Sequence, residues 1–86
     1  MKDITKQTIQ RYVALGIRPG DFLMAVLSND LMDAVGRADS ENRYAIYDIC
    51  HYVYNSTPAA CHGSREIVEN WIRHNGIKGI KEVATG

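Results

Sequence analysis

Residues 41–54 predict a helix that is apolar on nearly every side. Ala45, Ile46, Ile49, Cys50 and Val53 recur at helical spacing and form the predicted core stripe. Four tyrosines surround this stripe: Tyr44, Tyr47, Tyr52 and Tyr54. Beyond the first turn, the polar side chains are those of Arg43, Asp48 and His51. A chain of 86 residues has a core too small to bury such a helix on all sides. We therefore expect the protein to form a homo-oligomer.

The remaining segments predict three further helices. The first covers residues 2–15, with Asp3 or Thr5 as its cap and Gly16 after its last turn. The second begins near residue 19 or 21 and runs to Val35, with a kink or a short break at residues 28–30, where three polar side chains compete for backbone hydrogen bonds. The last begins after Ser64, a favourable N-cap.

Residues 76–86 alternate isoleucine and valine with glycine and lysine, which indicates an extended arm or a frayed end. The sequence thus predicts one all-α domain over residues 1–86. It is a small bundle of three to four short helices, with a core over residues 3–75 and an extended C-terminal tail over residues 76–86.

The balance of charge argues against general nucleic-acid binding. Lysine and arginine together number ten, and so do aspartate and glutamate. A balanced chain has no overall attraction for polyanions or anionic membranes. We see neither an apolar leader nor an apolar run long enough to cross a bilayer. We therefore expect a cytoplasmic protein in which Cys50 and Cys61 are free thiols.

Polar residues are concentrated around the predicted turn between the second and third helices, and two interpretations are open. The residues are Asn29, Asp30, Arg37, Asp39 and Asn42. In the first interpretation they form a capping network, in which Arg37 pairs with Asp30 or Asp39. In the second they line a polar pocket. The neighbouring tyrosines similarly predict either packing at an interface or, with Arg37 and Arg43, a platform that stacks nucleobases.

No pattern in the chain predicts catalysis, and we expect a protein that is not an enzyme. Two Cys-His pairs occur, at residues 50–51 and 61–62, but neither has the chelating spacing of a zinc site. Cys61 with a histidine could form a nucleophilic pair, yet no orienting group is recognisable. There is also no phosphate-binding glycine loop. We predict no metal and no cofactor.

The stretch from residue 16 to residue 71 resembles a family of short proteins encoded by tailed bacteriophages and prophages. The matching positions are Gly16-Ile17, Pro19-Gly20, Phe22-Leu23, Ala25-Val26-Leu27, Asn29-Asp30-Leu31, Ala34, Gly36-Arg37-Ala38-Asp39, Asn42, Tyr52, Tyr54-Asn55, Pro58, Cys61, Gly63-Ser64 and Trp71. The chain departs from the family pattern at Arg18, which stands between Ile17 and Pro19, and at His62, where the family has tryptophan. The resemblance implies an origin but no mechanism.

A phage origin suggests a counter-defence role, in the cytoplasm of the bacterial host. We expect a small oligomeric protein that sequesters a nucleotide-derived immune signal without cleaving it. The predicted ligand-binding residues are Arg18, Asn29, Asp30, Arg37, Asp39, Asn42, Arg43, Tyr44 and Tyr47. The arginines would bind phosphate, the amides and carboxylates would form hydrogen bonds with the polar edges of the base, and a tyrosine ring would stack on the base. The alternatives are an inhibitor or adaptor that binds a host defence protein, and a structural or housekeeping phage protein.

Overall fold

The fold of this protein consists of helices joined by short turns. A computed structural model describes the backbone of residues 1–85 and the side chains of residues 1–80. Six α-helices follow one another, and no strand occurs in residues 1–85. They are α1 (Asp3–Leu15), α2 (Asp21–Leu27), α3 (Leu31–Arg37), α4 (Ser40–Ser56), α5 (Arg65–Arg73) and α6 (Gly76–Thr85), with a 3₁₀ turn over Ala59–Cys61 between α4 and α5. The all-α prediction is confirmed, but residues 1–85 form six α-helices where three to four were predicted.

The predicted interruption of the second helix is a complete break. Ser28 closes α2, and Asn29 adopts a left-handed conformation with φ of 61°. Asparagine tolerates this conformation better than most residues because its short side chain forms local hydrogen bonds. Asp30 then caps α3 by accepting a hydrogen bond from the Asp33 N–H at 3.2 Å. One predicted helix is therefore two helices of seven residues each.

Local capping signals set the start of the later helices. Asp39 caps α4 by accepting a hydrogen bond from the Asn42 N–H at 2.7 Å. Ser64 caps α5 in the same way, with the Ile67 N–H at 3.2 Å. At α1, the predicted cap is wrong: the N-cap position is Lys2, without a side-chain hydrogen bond, and Thr5 is buried. Each of these helices begins where its backbone N–H groups find a partner or reach water.

The prediction of an extended tail over residues 76–86 is wrong for residues 76–85, because they form α6, which packs against α1. Residue 86 lies outside the described residues. Ile77 and Ile80 are three residues apart and share a helix face, and Ile77 packs against the core. Gly16 and Gly76 permit the close approach of the two helices. Their φ angles are 70° and 63°, and a Cβ on Gly16 would lie 2.8 Å from the Gly76 nitrogen.

The core is centred on Tyr12 of α1, which is fully buried. Its hydroxyl donates a hydrogen bond to the Cys61 carbonyl oxygen at 2.6 Å. Its own carbonyl accepts a hydrogen bond from Trp71 Nε1–H at 3.0 Å. Burial raises the pKa of the Tyr12 hydroxyl, with smaller contributions from Cys61 and Glu69. The other core members are Ile9, Leu23, Met24, Leu27, Ile49, Val53, Cys61, Val68 and Trp71.

None of the helices in the described part of the chain has the length and apolar character needed to cross a membrane.

Replacement of Tyr12 by phenylalanine should lower the free energy of unfolding by about 1–2 kcal/mol, since the Cys61 carbonyl loses a donor inside the core. Urea unfolding followed by circular dichroism measures the change. Tyr52→Phe is the matched control, because its hydroxyl only accepts a 3.4 Å hydrogen bond from Gln10 at the exposed surface. Equal effects of the two substitutions would contradict the central role of the Tyr12 hydroxyl.

Candidate functional site

The polar residues around the α3–α4 turn form caps and ion pairs. Asp30 and Asp39 each cap the following helix, because the carboxylate accepts a hydrogen bond from a backbone N–H in the first turn of that helix. Asp39 also lies 3.4 Å from Lys2 Nζ, which in turn lies 3.2 Å from Glu41. The Asn42 N–H, followed by the Lys2 ammonium, holds the pKa of Asp39 below its usual value. These contacts support the capping interpretation for both aspartates.

Arg37 does not form an ion pair with Asp30 or Asp39, so its predicted pairing is wrong. Its Nε lies 3.0 Å from both carboxylate oxygens of Asp33, and its Nη1 lies 3.3 Å from Asp21 on α2. Asp33 precedes Arg37 by four residues on α3, which is the spacing at which side chains meet on a helix face. The hydrogen bond with Asp33 raises the pKa of Arg37. The guanidinium thus links α2 to α3, and its side chain remains about half exposed.

Arg18 is connected to α5. Its Nη2 lies 2.6 Å from Glu69 Oε2, and Arg65 Nε lies 3.1 Å from the other oxygen of the same carboxylate. The hydrogen bond from Arg18 is the main reason that the pKa of Glu69 is lowered. Arg18 therefore has a structural contact that joins the α1–α2 connector to α5.

Three tyrosines of α4 are exposed on the side opposite the buried Ile49 and Val53. The exposed fractions are 89% for Tyr44, 76% for Tyr47 and 78% for Tyr54. The Tyr47 ring stacks on His51, with centroids 6.0 Å apart and an angle of 29° between the planes. We call Tyr44, Tyr47, His51 and Tyr54 the aromatic stripe. Residues 41–54 thus have apolar or aromatic side chains on two opposite sides, and the subunit buries only the side that includes Ile49 and Val53.

A groove of about 410 Å³ lies where α2, α4 and the loop before α5 meet. It is lined by Val26, Leu27, Asn29, Cys50, Val53, Tyr54, His62 and Gly63. His62 Nε2 is buried and has no hydrogen-bond partner among the described residues. Burial lowers the pKa of His62 and raises that of the Cys50 thiol, so both groups are neutral near pH 7. No local sequence pattern predicts this groove, because its walls come from separate segments of the chain.

The predicted ligand-binding residues do not converge on one cavity of the subunit. Asn29 lines the groove just described, whereas Asn42 lines a smaller one of about 220 Å³ beside α1 and α2. Asn42, Arg43, Tyr44 and Tyr47 share the N-terminal half of α4, and Arg37 ends α3 just before it. The predicted residues that share one region are therefore those at and after the α3–α4 turn.

The two cysteines are buried to different degrees. Cys61 is completely buried and Cys50 is partly buried. Burial raises the pKa of both thiols, which keeps them protonated. Across the described residues, no group of three or more histidine, cysteine, aspartate or glutamate side chains is arranged to hold a metal ion.

A comparison of the chain with protein-family models, curated proteins and solved structures gives no match. The resemblance to phage proteins remains a prediction from the sequence.

The partly buried imidazole of His62, whose Nε2 is shielded from solvent, predicts a loss of stability in mild acid. Its pKa in the folded state lies below the ordinary value of 6.5, so the unfolded state binds the proton more tightly. The free energy of unfolding therefore keeps its full value above pH 6.5. It decreases as the pH falls from 6.5 toward the lower pKa of His62 in the folded state. Urea unfolding at pH 7.5 and 5.5 should show this loss, and His62→Phe should reduce it.

His74→Gln is the matched control, because it leaves His62 in place and should retain the wild-type difference between the two pH values. An unchanged difference in His62→Phe would show that another group causes the pH dependence.

Proposed function

We propose that the protein is a phage-encoded binding protein that self-associates and sequesters a nucleotide-derived immune signal of the bacterial host without cleaving it. The observation that carries this proposal is the exposed ring of Tyr44, which follows Arg43 in the N-terminal half of α4, with Arg37 at the end of α3 across the α3–α4 turn. Exposed aromatic rings beside arginines are typical of surfaces that bind nucleotides through stacking and phosphate contacts.

Tyr44 is the better stacking residue of the two predicted tyrosines. It is the most exposed tyrosine of the aromatic stripe, while one face of Tyr47 is covered by His51. Every nucleobase has an aromatic face, so stacking on Tyr44 would accept a signal built from any base.

The cationic part of the proposed site consists of Arg37 and Arg43. Arg37 is oriented by Asp33 and Asp21 but keeps half of its side chain exposed, so a phosphate can replace one carboxylate without opening the core. Asn42 supplies an amide next to Arg43. Asp30 would hold the α2–α3 turn and Asp39 the α3–α4 turn through their capping hydrogen bonds. Their negative charge disfavours direct contact with phosphate.

A second candidate function is that of an inhibitor or adaptor that binds a host defence protein. It is favoured by exposed apolar side chains on α3: Leu31, Met32 and Val35. Met32 is 84% exposed, and methionine adapts well to partner surfaces. Association with purified defence proteins in the absence of nucleotide would favour this alternative.

Tyr44→Ala should weaken nucleotide binding by roughly 5- to 150-fold, the range expected for loss of one base–aromatic stack. Titration calorimetry with a panel of cyclic dinucleotides, cyclic trinucleotides and ADP-ribose-derived cyclic nucleotides measures the affinity. Tyr44→Phe keeps the ring and should bind like the wild type. Chromatography of the ligand released by heat should recover it intact. No binding across the panel, or recovery of cleaved nucleotide, would contradict the proposed function.

Arg37→Ala should abolish nucleotide binding while the melting temperature stays nearly constant, because its ion pairs are at the exposed surface. Arg37→Lys should bind more weakly than the wild type, since lysine cannot form the two-pronged contact with phosphate. Differential scanning calorimetry and titration calorimetry are run on the same preparations. A large fall in melting temperature would assign Arg37 to the fold instead.

A further inference from the structure

The aromatic stripe has the spacing of a seam between two helices. Its members follow one another at intervals of three, four and three residues, which are the alternating intervals of the inner positions in a two-stranded helical pair. Ile49, which is completely buried, occupies the position farthest from this seam. Helix α4 can therefore face the core of its own subunit on one side and another helix on the other.

We propose that α4 pairs with α4 of a second copy of the chain, in parallel orientation and in register, through the aromatic stripe. Each residue of the stripe would then face its own equivalent in the second copy, and the two Tyr44 rings would form the last layer of the seam, with their outer faces open for a base. The inference deepens the self-association in the proposed function, on which it rests, but it does not depend on the ligand.

The exposed area of the stripe reaches the lower end of the range for a specific contact. A tyrosine side chain covers roughly 150–250 Å², and the three rings of the stripe are each more than three-quarters exposed. Pairing of two copies would remove on the order of 1,000 Å² in total, the lower bound for a specific interface. His51 places one polar layer within the seam, and such a layer favours a single register.

The charges beside the stripe favour the parallel orientation. Arg43 and Asp48 flank it on opposite sides and are five residues apart. In a parallel pair, side chains at this spacing meet across the seam, so Arg43 of each copy approaches Asp48 of the other. An antiparallel pair with the same layers would bring Asp48 close to Asp48 of the second copy, which is repulsive. Opposite charges therefore stabilise only the parallel arrangement.

The parallel orientation has a consequence for the proposed ligand site. It places both α3–α4 turns at the same end of the pair, so that two copies of Arg37, Asn42, Arg43 and Tyr44 surround the two-fold axis. An antiparallel pair would separate the turns by the length of α4, about 25 Å for its 17 residues. A doubled site suits a ligand with two phosphates and two bases, such as a cyclic dinucleotide.

Disulfide trapping tests the orientation. In a Cys50→Ser background, which leaves only the buried Cys61, Tyr47→Cys should form a cross-linked dimer on mild oxidation, because position 47 faces itself across a parallel seam. Arg11→Cys, at an exposed position of α1, is the matched control and should cross-link at least tenfold more slowly. An antiparallel seam would instead join Tyr44→Cys to Tyr54→Cys when the two variants are mixed. That result, or equal rates for positions 47 and 11, would overturn the proposal.

Charge exchange tests the same contact without new cysteines. Arg43→Asp and Asp48→Arg should each weaken dimerisation roughly tenfold in sedimentation equilibrium, and the double variant should recover to within about threefold of the wild type. Tyr47→Asp should give a folded monomer, since position 47 is exposed in the subunit. A wild-type protein that is monomeric at 100 µM would refute the seam.

The cross-linking and sedimentation measurements are made without nucleotide, so their results are independent of the calorimetric test of nucleotide binding. Together the two sets of measurements separate the two proposals. A trapped parallel dimer that binds no nucleotide supports the seam and contradicts the proposed function. Nucleotide binding without position-47 cross-links supports the function and contradicts the seam.

Discussion

The described structure depends on one buried chain of hydrogen bonds through Tyr12. The hydroxyl reaches the Cys61 carbonyl oxygen, and the Tyr12 carbonyl receives the Trp71 indole N–H. These two bonds connect α1 with the 3₁₀ turn and with α5, which are distant in sequence. Polar groups in a protein core must form hydrogen bonds. In a small core few groups are available as partners, and here the buried polar groups of Tyr12, Cys61 and Trp71 bond to one another. The bonds fix the relative positions of α1 and α5, while apolar packing of α2 and α4 completes the core.

The break between α2 and α3 determines which polar groups are available at the surface. A continuous helix over residues 21–37 would place Asp21 and Arg37 about 24 Å apart along its axis. Because Asn29 turns the chain, α3 folds back against α2, and Arg37 can contact both Asp21 and Asp33. The same turn leaves Leu31, Met32 and Val35 of α3 exposed. The polar turn is thus a consequence of local backbone chemistry, and any ligand site there would use side chains that already have structural roles.

Features set by neighbouring residues could be predicted from the sequence, and features set by distant contacts could not. Gly16, Asp39 and Ser64 act on the helix end beside them, and their roles follow from spacing alone. The helical tail required knowledge that Gly16 and Gly76 would meet, which depends on the packing of α6 against α1. Likewise, the partner of Arg18 is Glu69, 51 residues away. Of the candidate site, the sequence predicted the aromatic surface of α4 but not the groove beside His62, which requires α2 and α4 to be placed together.

The apolar residues of α4 satisfy two different requirements. On one side, Ile49 and Val53 contribute to a core that a short chain needs in order to fold. On the other, three exposed tyrosines add nothing to the core of the subunit and increase the risk of nonspecific association. Tyrosine suits a surface that is wet in the free subunit and buried in a complex, because its ring packs while its hydroxyl remains hydrated. The proposed pairing with a second copy would explain why the stripe is aromatic rather than aliphatic, and why charges of opposite sign flank it. The stability of the subunit and the proposed association would then be separate properties of one helix, carried by opposite faces.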